Sequence, residues 1–427
     1  MKKRFLVIPL FTLIGLTYLI RTIQEDASAN MPRSKEPVQT IKVGLWDYEF
    51  HEYDKKLIEA FCEENPNIKV EIVTSPNVYY ASKVSAMLAG GEDIDVIYTP
   101  TPRVYNNLQL NHFIIPLDDL IRRDQVDISR FKGALEIENQ IYGLPYRSDW
   151  YVLYYNKNLF DKKNLPYPTN DMTWEEYRQL GKQLTSGIGA NKTYGILTNT
   201  SLYSHVLPPI ENGREFDYIN GDLEALRRGL ELFLGIQFED QSALDYATNK
   251  AINSDQRTFE KGQTGMFING TWFINYLIND KKNGVYDFEW GVVKVPHWGQ
   301  EQPISKLLAR VSINIKTAKL EAAWEFVKFV TGSKGAKILA GEAMLPAFEH
   351  GAIHQLYIES SGLENKDLEA INGNHFVVAA PDNDSDSLYI KDIVYEEIEK
   401  VITQEKSIDE GIADMKEKRR QYLKGKY

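Results

Sequence analysis

Cysteine is nearly missing: Cys62 is the only one in 427 residues, which excludes an intrachain disulfide framework and any site built from several thiolates. It sits within the apolar pattern Leu57, Ile58, Phe61, where a lone thiol packs as a small hydrophobe. The seven histidines are scattered singly, and His51-Glu52 has no second histidine four residues on, so zinc-protease chemistry lacks its ligands. The phosphate-loop, dinucleotide-fold and nucleophile-elbow signatures are absent. No cofactor or metal is expected. Asp382, Asp384 and Asp386 resemble the start of a calcium loop, but Ser387 stands where glycine should turn and Ile393 where the bidentate glutamate belongs. An excess of positive charge is lacking too: 49 Lys plus Arg face 60 Asp plus Glu, a net charge of -11, which opposes binding to nucleic acid or anionic lipid. The one long uncharged run, Phe5 to Ile20, is short for a membrane span.

That run belongs to an export segment. Basic residues Lys2, Lys3 and Arg4 precede it, and Ala27-Ser28-Ala29 offers a cleavage pattern. Residues 1–29 are therefore a signal peptide or, if retained, a signal anchor, and 30–40, with Pro32 and Pro37, form an extended tether. No cysteine follows that a lipid could modify, so the chain is not a lipoprotein; it is free outside the cytoplasm or held by its N-terminal segment.

From Ile41 the pattern alternates. Ile41–Leu45, Ile68–Ile72 and Ile94–Tyr98 read as strands, and Tyr53–Glu64, Tyr79–Ala89 and Arg103–Asn111 as helices, which predicts a βαβ-type α/β start with parallel strands. Lysines alternate through the first two strands, so one edge or face of that sheet should be wet. Thr173 and Glu176, and Ser407 and Glu410, have capping-box spacing, and 321–331 and 389–403 have amphipathic helical spacing. Ligands in open α/β sheets sit beyond the carboxyl ends of the strands, so Trp46-Asp47, Ser75–Asn77 and Thr99–Arg103 should line one crevice. At the C-terminus, Lys416–Lys426 is rich in basic residues, read as helix-end charge rather than a surface-attachment patch.

Aromatic side chains are plentiful, with 25 Tyr, 18 Phe and 7 Trp, many beside turns and polar residues. A pyranose offers C–H faces that stack on rings and hydroxyls that pair with carboxylates, amides and guanidiniums. Neighbours such as Trp46-Asp47 and Asp149-Trp150 provide that combination. A secreted carbohydrate-active enzyme would use the same surfaces plus two carboxylates about 5 Å, or about 6.5–9.5 Å, apart; Glu49 and Asp149 are candidates. A surface adhesin or sensor is a third reading.

From Ile41 onward the chain resembles the family 1 extracellular solute-binding proteins, which include maltose-binding protein. The resemblance rests on Ile41–Trp46, Phe61–Val70 with its Asn-Pro-Asn-Ile-Lys-Val, Gly143-Leu144-Pro145 followed by Leu153–Lys157, Leu159-Phe160, Gly262–Trp272, Ala323–Phe326 with Phe329, and Leu345-Pro346. It implies a two-lobed α/β, periplasmic-binding-protein-like fold with an interlobe cleft and several hinge crossings near Tyr146–Tyr151, Leu308–Asn314 and Leu345–Phe348. The lobes would be 41–146 with 312–346, and 147–311 with 347–427. It also implies an extracytoplasmic, monomeric, non-catalytic receptor that delivers an oligosaccharide to the membrane permease of an ABC importer. Trp272 matches the family's sugar-stacking tryptophan, Asp149 an acidic sugar ligand, Arg103 a sugar-contacting arginine and Tyr203 another stacking aromatic. With Trp46, Asp47 and Trp150 these are the ligand-binding candidates; Tyr79, Tyr80, His205, Trp298 and Arg310 are secondary. Arg103, Arg147 and Arg310 near the expected cleft edges raise the expectation of a uronate-containing ligand.

Overall fold

The computed structural model describes residues 37–131, 139–198, 216–252, 255–299, 304–372, 376–378 and 385–426. The export segment, most of the tether, Tyr203, His205 and the start of the calcium-like loop lie outside them.

The sequence pattern folds into two sheets. The first has the order β10–β9–β3–β1–β2, with β4 also paired to β9; its strands are β1 (Gln39–Trp46), β2 (Ile68–Ser75), β3 (Val96–Thr99), β4 (Leu144–Asp149), β9 (Ile304–Ile313) and β10 (Phe376–Val378). β1 is parallel to both β2 and β3, as the βαβ reading predicts, while β9 runs antiparallel to β3 and β4. β2 is an edge strand, with Lys69 and Glu71 exposed, so the wet edge foreseen from alternating lysines is there. Lys42, on β1, is held beside Asp93. The helices Glu52–Glu64, Asn77–Gly90, Pro102–Leu110 and Leu320–Thr331 lie close to their predicted spans and pack apolar faces into one core, where Phe61 meets Phe326 edge-on at 5.0 Å.

The second sheet, ordered β6–β7–β5–β8, comprises β5 (Tyr151–Asn156), β6 (Tyr194–Leu197), β7 (Thr264–Gly270) and β8 (Trp290–Val293). Separate clusters cover its two faces: Tyr154, Phe267, Phe273 and Leu277 on one, Tyr155, Phe160, Trp174 and Ile196 on the other. A helical cluster joins residues 218–246 to the helices Ser385–Ile402 and Ile408–Lys424. Both capping boxes form, at Thr173/Glu176 and Ser407/Glu410. The basic C-terminal side chains find acidic or carbonyl partners within this cluster, among them Lys416 on Glu224, Lys418 on Glu397 and Arg419 on the carbonyl of Gly221.

The chain crosses between sheets at Trp150, since β4 ends at Asp149 and β5 begins at Tyr151. It returns between β8 and β9, and all of β9 belongs to the first sheet, so the expected boundary at 311/312 falls inside one strand. The segment Leu345–Phe348 runs beside β4: Ser148 N–H donates to the Leu345 carbonyl and Ala347 N–H to that of Tyr146.

Candidate functional site

Trp46 ends β1 with its ring buried, edge-on to Tyr80 at 5.8 Å and to His51 at 6.1 Å. The Arg147 guanidinium lies 5.8 Å from the indole centroid and 5.6 Å from the Tyr53 ring. Arg147 and Asp149 point to the same side of β4 because strand side chains alternate. There Arg147 Nε donates to Asp149 Oδ2 at 3.1 Å and Nη1 donates to Tyr53 Oη at 2.6 Å. The other carboxylate oxygen of Asp149 accepts from Thr271 Oγ1 at 2.9 Å. Burial pushes the Asp149 carboxyl up, and the Arg147 charge and the two hydrogen bonds work against that. Thr271 continues into Trp272, the half-buried indole that packs against both the first core and the core of the second sheet. A Cβ on Gly270 would lie 2.0 Å from the Trp272 ring, so only glycine lets the indole fold back over the end of β7.

A second link joins the same two bodies. His51 stacks on Tyr53 at 4.8 Å, and its Nδ1 pairs with Asp54 Oδ2 at 3.0 Å. Its Nε2 shares a hydrogen bond of 2.9 Å with Tyr276 Oη, on the helix Phe273–Lys282 of the second body. Trp46, His51, Tyr53, Arg147, Asp149, Thr271, Trp272 and Tyr276 thus form one polar and aromatic floor where the two sheets meet.

The other candidates sit around or away from this floor. Asp47 adopts a left-handed backbone (φ 46°) and ties β1 to the next crevice loop, its Oδ1 accepting from Asn77 N–H at 2.9 Å and its own N–H donating to the Ser75 carbonyl. Tyr80 is buried, its hydroxyl held between the carbonyls of Gly44 and Tyr98, whereas Tyr79 is exposed. Arg103 is half-exposed and ion-paired at 2.8 Å with Asp392 of the helix Ser385–Ile402. Trp150 is core: its indole N–H donates to the Ala370 carbonyl at 3.1 Å. Trp298 packs on the far cluster of the second sheet, 6.0 Å from Trp174 and under Arg228. Arg310 is buried over the Tyr105 ring at 4.6 Å and donates to the Leu308 carbonyl, and burial pulls its basicity down.

The sequence reading did not single out His51, Tyr53, Thr271, Tyr276 and Asp392. Thr271 adjoins Trp272 and could have been reached from it. His51 and Tyr276 are 225 residues apart, and nothing local to either marks the pairing.

Glu49 is exposed and Asp149 already accepts from a guanidinium and a hydroxyl. A general acid must be free to move its proton, so this pair is poorly arranged for glycoside cleavage.

Two sheets with separate cores, joined by repeated crossings and by a polar and aromatic floor, define a two-lobed α/β binding protein. Residues 49–337, more than half the chain, match the family model described as bacterial extracellular solute-binding protein, and the chain belongs to that family. A sugar transporter of Rhizobium etli, solved in an open conformation, is 31% identical with TM-score 0.71 and covers 89% of this chain and 99% of its own. An ABC substrate-binding protein of Listeria monocytogenes in complex with cycloalternan has TM-score 0.75 at 21% identity, covering 90% and 99%. The maltose/maltodextrin-binding domain of Bdellovibrio bacteriovorus bound to maltotriose has TM-score 0.72 at 17% identity, covering 90% and 100%. The latter two likenesses bear on the fold. The family is extracytoplasmic. Among the described residues no helix is long and apolar enough to cross a membrane.

Proposed function

We propose that this chain is the receptor of an ABC importer, that it captures a neutral oligosaccharide between its two lobes without altering it, and that it presents the closed form to a membrane permease as a monomer. The observation that carries the reading is the floor itself: Arg147 lies over the Trp46 indole and pairs with Asp149, which accepts from Thr271, the neighbour of Trp272, whose indole packs on both cores. Flat rings beside charged hydrogen-bonding groups suit a pyranose, whose faces are apolar and whose edge is polar. The description of the similar Rhizobium protein as a sugar transporter, and the cycloalternan and maltotriose bound by the Listeria and Bdellovibrio proteins, support the class. The three arginines behind the uronate expectation are engaged with Asp392, with Asp149 and Tyr53, and with Tyr105 and Leu308. That favours uncharged sugars. Trp272 is the main stacking surface and Tyr203 a further one in this reading.

The test is a thermal-shift and tryptophan-fluorescence screen of the intact chain against neutral and uronate-containing oligosaccharides, with product analysis alongside. A bound neutral oligosaccharide should raise the melting temperature, because it stabilises only the native form, and leave the sugar intact. Trp272→Ala should weaken binding by about tenfold or more. Release of shortened sugars would replace the receptor reading with the enzyme one, and a preference for uronates would overturn the neutral ligand.

A further inference from the structure

Arg103 opens the helix that follows β3, at the carboxyl-terminal edge of the first sheet where Trp46 and Asp47 also lie. Its Nη2 contacts both carboxylate oxygens of Asp392, at 2.8 and 3.0 Å. Asp392 sits on the helix Ser385–Ile402, whose apolar side is buried in the separate helical cluster with Leu230, Phe233 and Met415. The two charges therefore belong to bodies with different cores. Each side chain is about half exposed, at 49% and 52%. The Asp392 helix is tied to the helix Ile408–Lys424 by Tyr389 stacking on Tyr422 at 4.3 Å, so the carboxylate is presented from a fixed platform.

We infer that Arg103 and Asp392 form a charged clasp between the lobes, which draws them together before any ligand is bound. This goes beyond the receptor reading and stands whatever the ligand is. The polar floor holds the lobes near their crossings by hydrogen bonds among buried groups, which salt screens little. The clasp is open to solvent, so its attraction falls as the screening length shrinks from about 30 Å at about 0.01 M salt to about 3 Å at about 1 M. The empty protein should therefore be a mixture of open and closed forms whose ratio follows ionic strength.

The experiment reads interlobe distance in the empty full chain by single-molecule energy transfer, with dyes on Ala81→Cys and Lys162→Cys in a Cys62→Ser background. At about 0.01 M salt, Arg103→Glu or Asp392→Arg should raise the open-to-closed ratio by about two- to fivefold or more, the range expected for losing an exposed ion pair with added repulsion. The double variant, which swaps the charges, should restore the original ratio. About 1 M salt should open the unaltered protein and, by screening the like-charge repulsion, partly close the single variants, so that the ratios converge. Single variants whose distances match the unaltered protein at low salt would overturn the proposal. So would a charge-swapped double variant that stays as open as the singles while melting at the normal temperature.

Discussion

Asp149 and Trp150 are neighbours in sequence with opposite fates. Asp149 ends β4 facing Arg147 and Thr271, while Trp150 turns into the second core and spends its indole N–H on a carbonyl. Strand alternation makes the Arg147–Asp149 pairing legible in advance, since residues two apart share a face. Which face meets the other lobe is not legible. Glu260 shows a buried charge whose behaviour only its surroundings explain: burial and a hydrogen bond with Asp280 push its carboxyl up to about 7. An unfolded glutamate titrates near about 4.3, so between about 4.3 and 7 the native chain keeps a proton that the unfolded chain releases. Stability should fall as pH rises through that window. Glu260→Gln should flatten the fall in urea midpoints measured across it. A fall of unchanged size in this variant would show that another group is responsible.

At the scale of elements, helices and strands were the most legible part of this chain. The capping boxes at Thr173 and Ser407 form because each satisfies amides that no helical carbonyl reaches. The predicted strands and helices from Ile41 to Asn111 recur with boundaries shifted by a few residues at most. What the pattern missed is how the C-terminal helices are tied together. Glu397 is fully buried, and its carboxylate accepts from Lys400, Lys406 and Lys418, drawn from both helices and the turn between them. Burial alone would raise its pKa, yet the three ammonium groups outweigh burial and bring it to about 2. The folded value lies below the unfolded one, so this stabilisation is full above about 4.5 and is lost as pH falls towards 2. Glu397→Gln should cost about 1–2 kcal/mol at neutral pH, because the lysines stay partly in water, and should remove that acid-side loss. Circular dichroism melts between pH 7 and 3 check both; an unchanged acid-side slope would count against the account.

At the scale of the whole molecule, the two lobes are distinct in core but share their crossings. Thr271 holds them at one point: its hydroxyl donates to Asp149, its N–H donates to the Trp150 carbonyl, and Trp272 beside it packs on both cores. Thr271→Val should lower stability by about 1–3 kcal/mol, the cost of leaving a buried acceptor short of a donor, and calorimetry should still show one transition. Two separated transitions in the unaltered protein would mean that the lobes unfold independently. By itself the sequence determined the α/β alternation, the helix caps and the family, because each is written in local periodicity or in motifs of fixed order. Only the tertiary structure decided that β9 lies wholly in the first sheet, that His51 reaches Tyr276, and that Arg103 is held by Asp392. Those contacts join residues hundreds of positions apart, and their geometry depends on how separately formed layers pack, which no local pattern encodes.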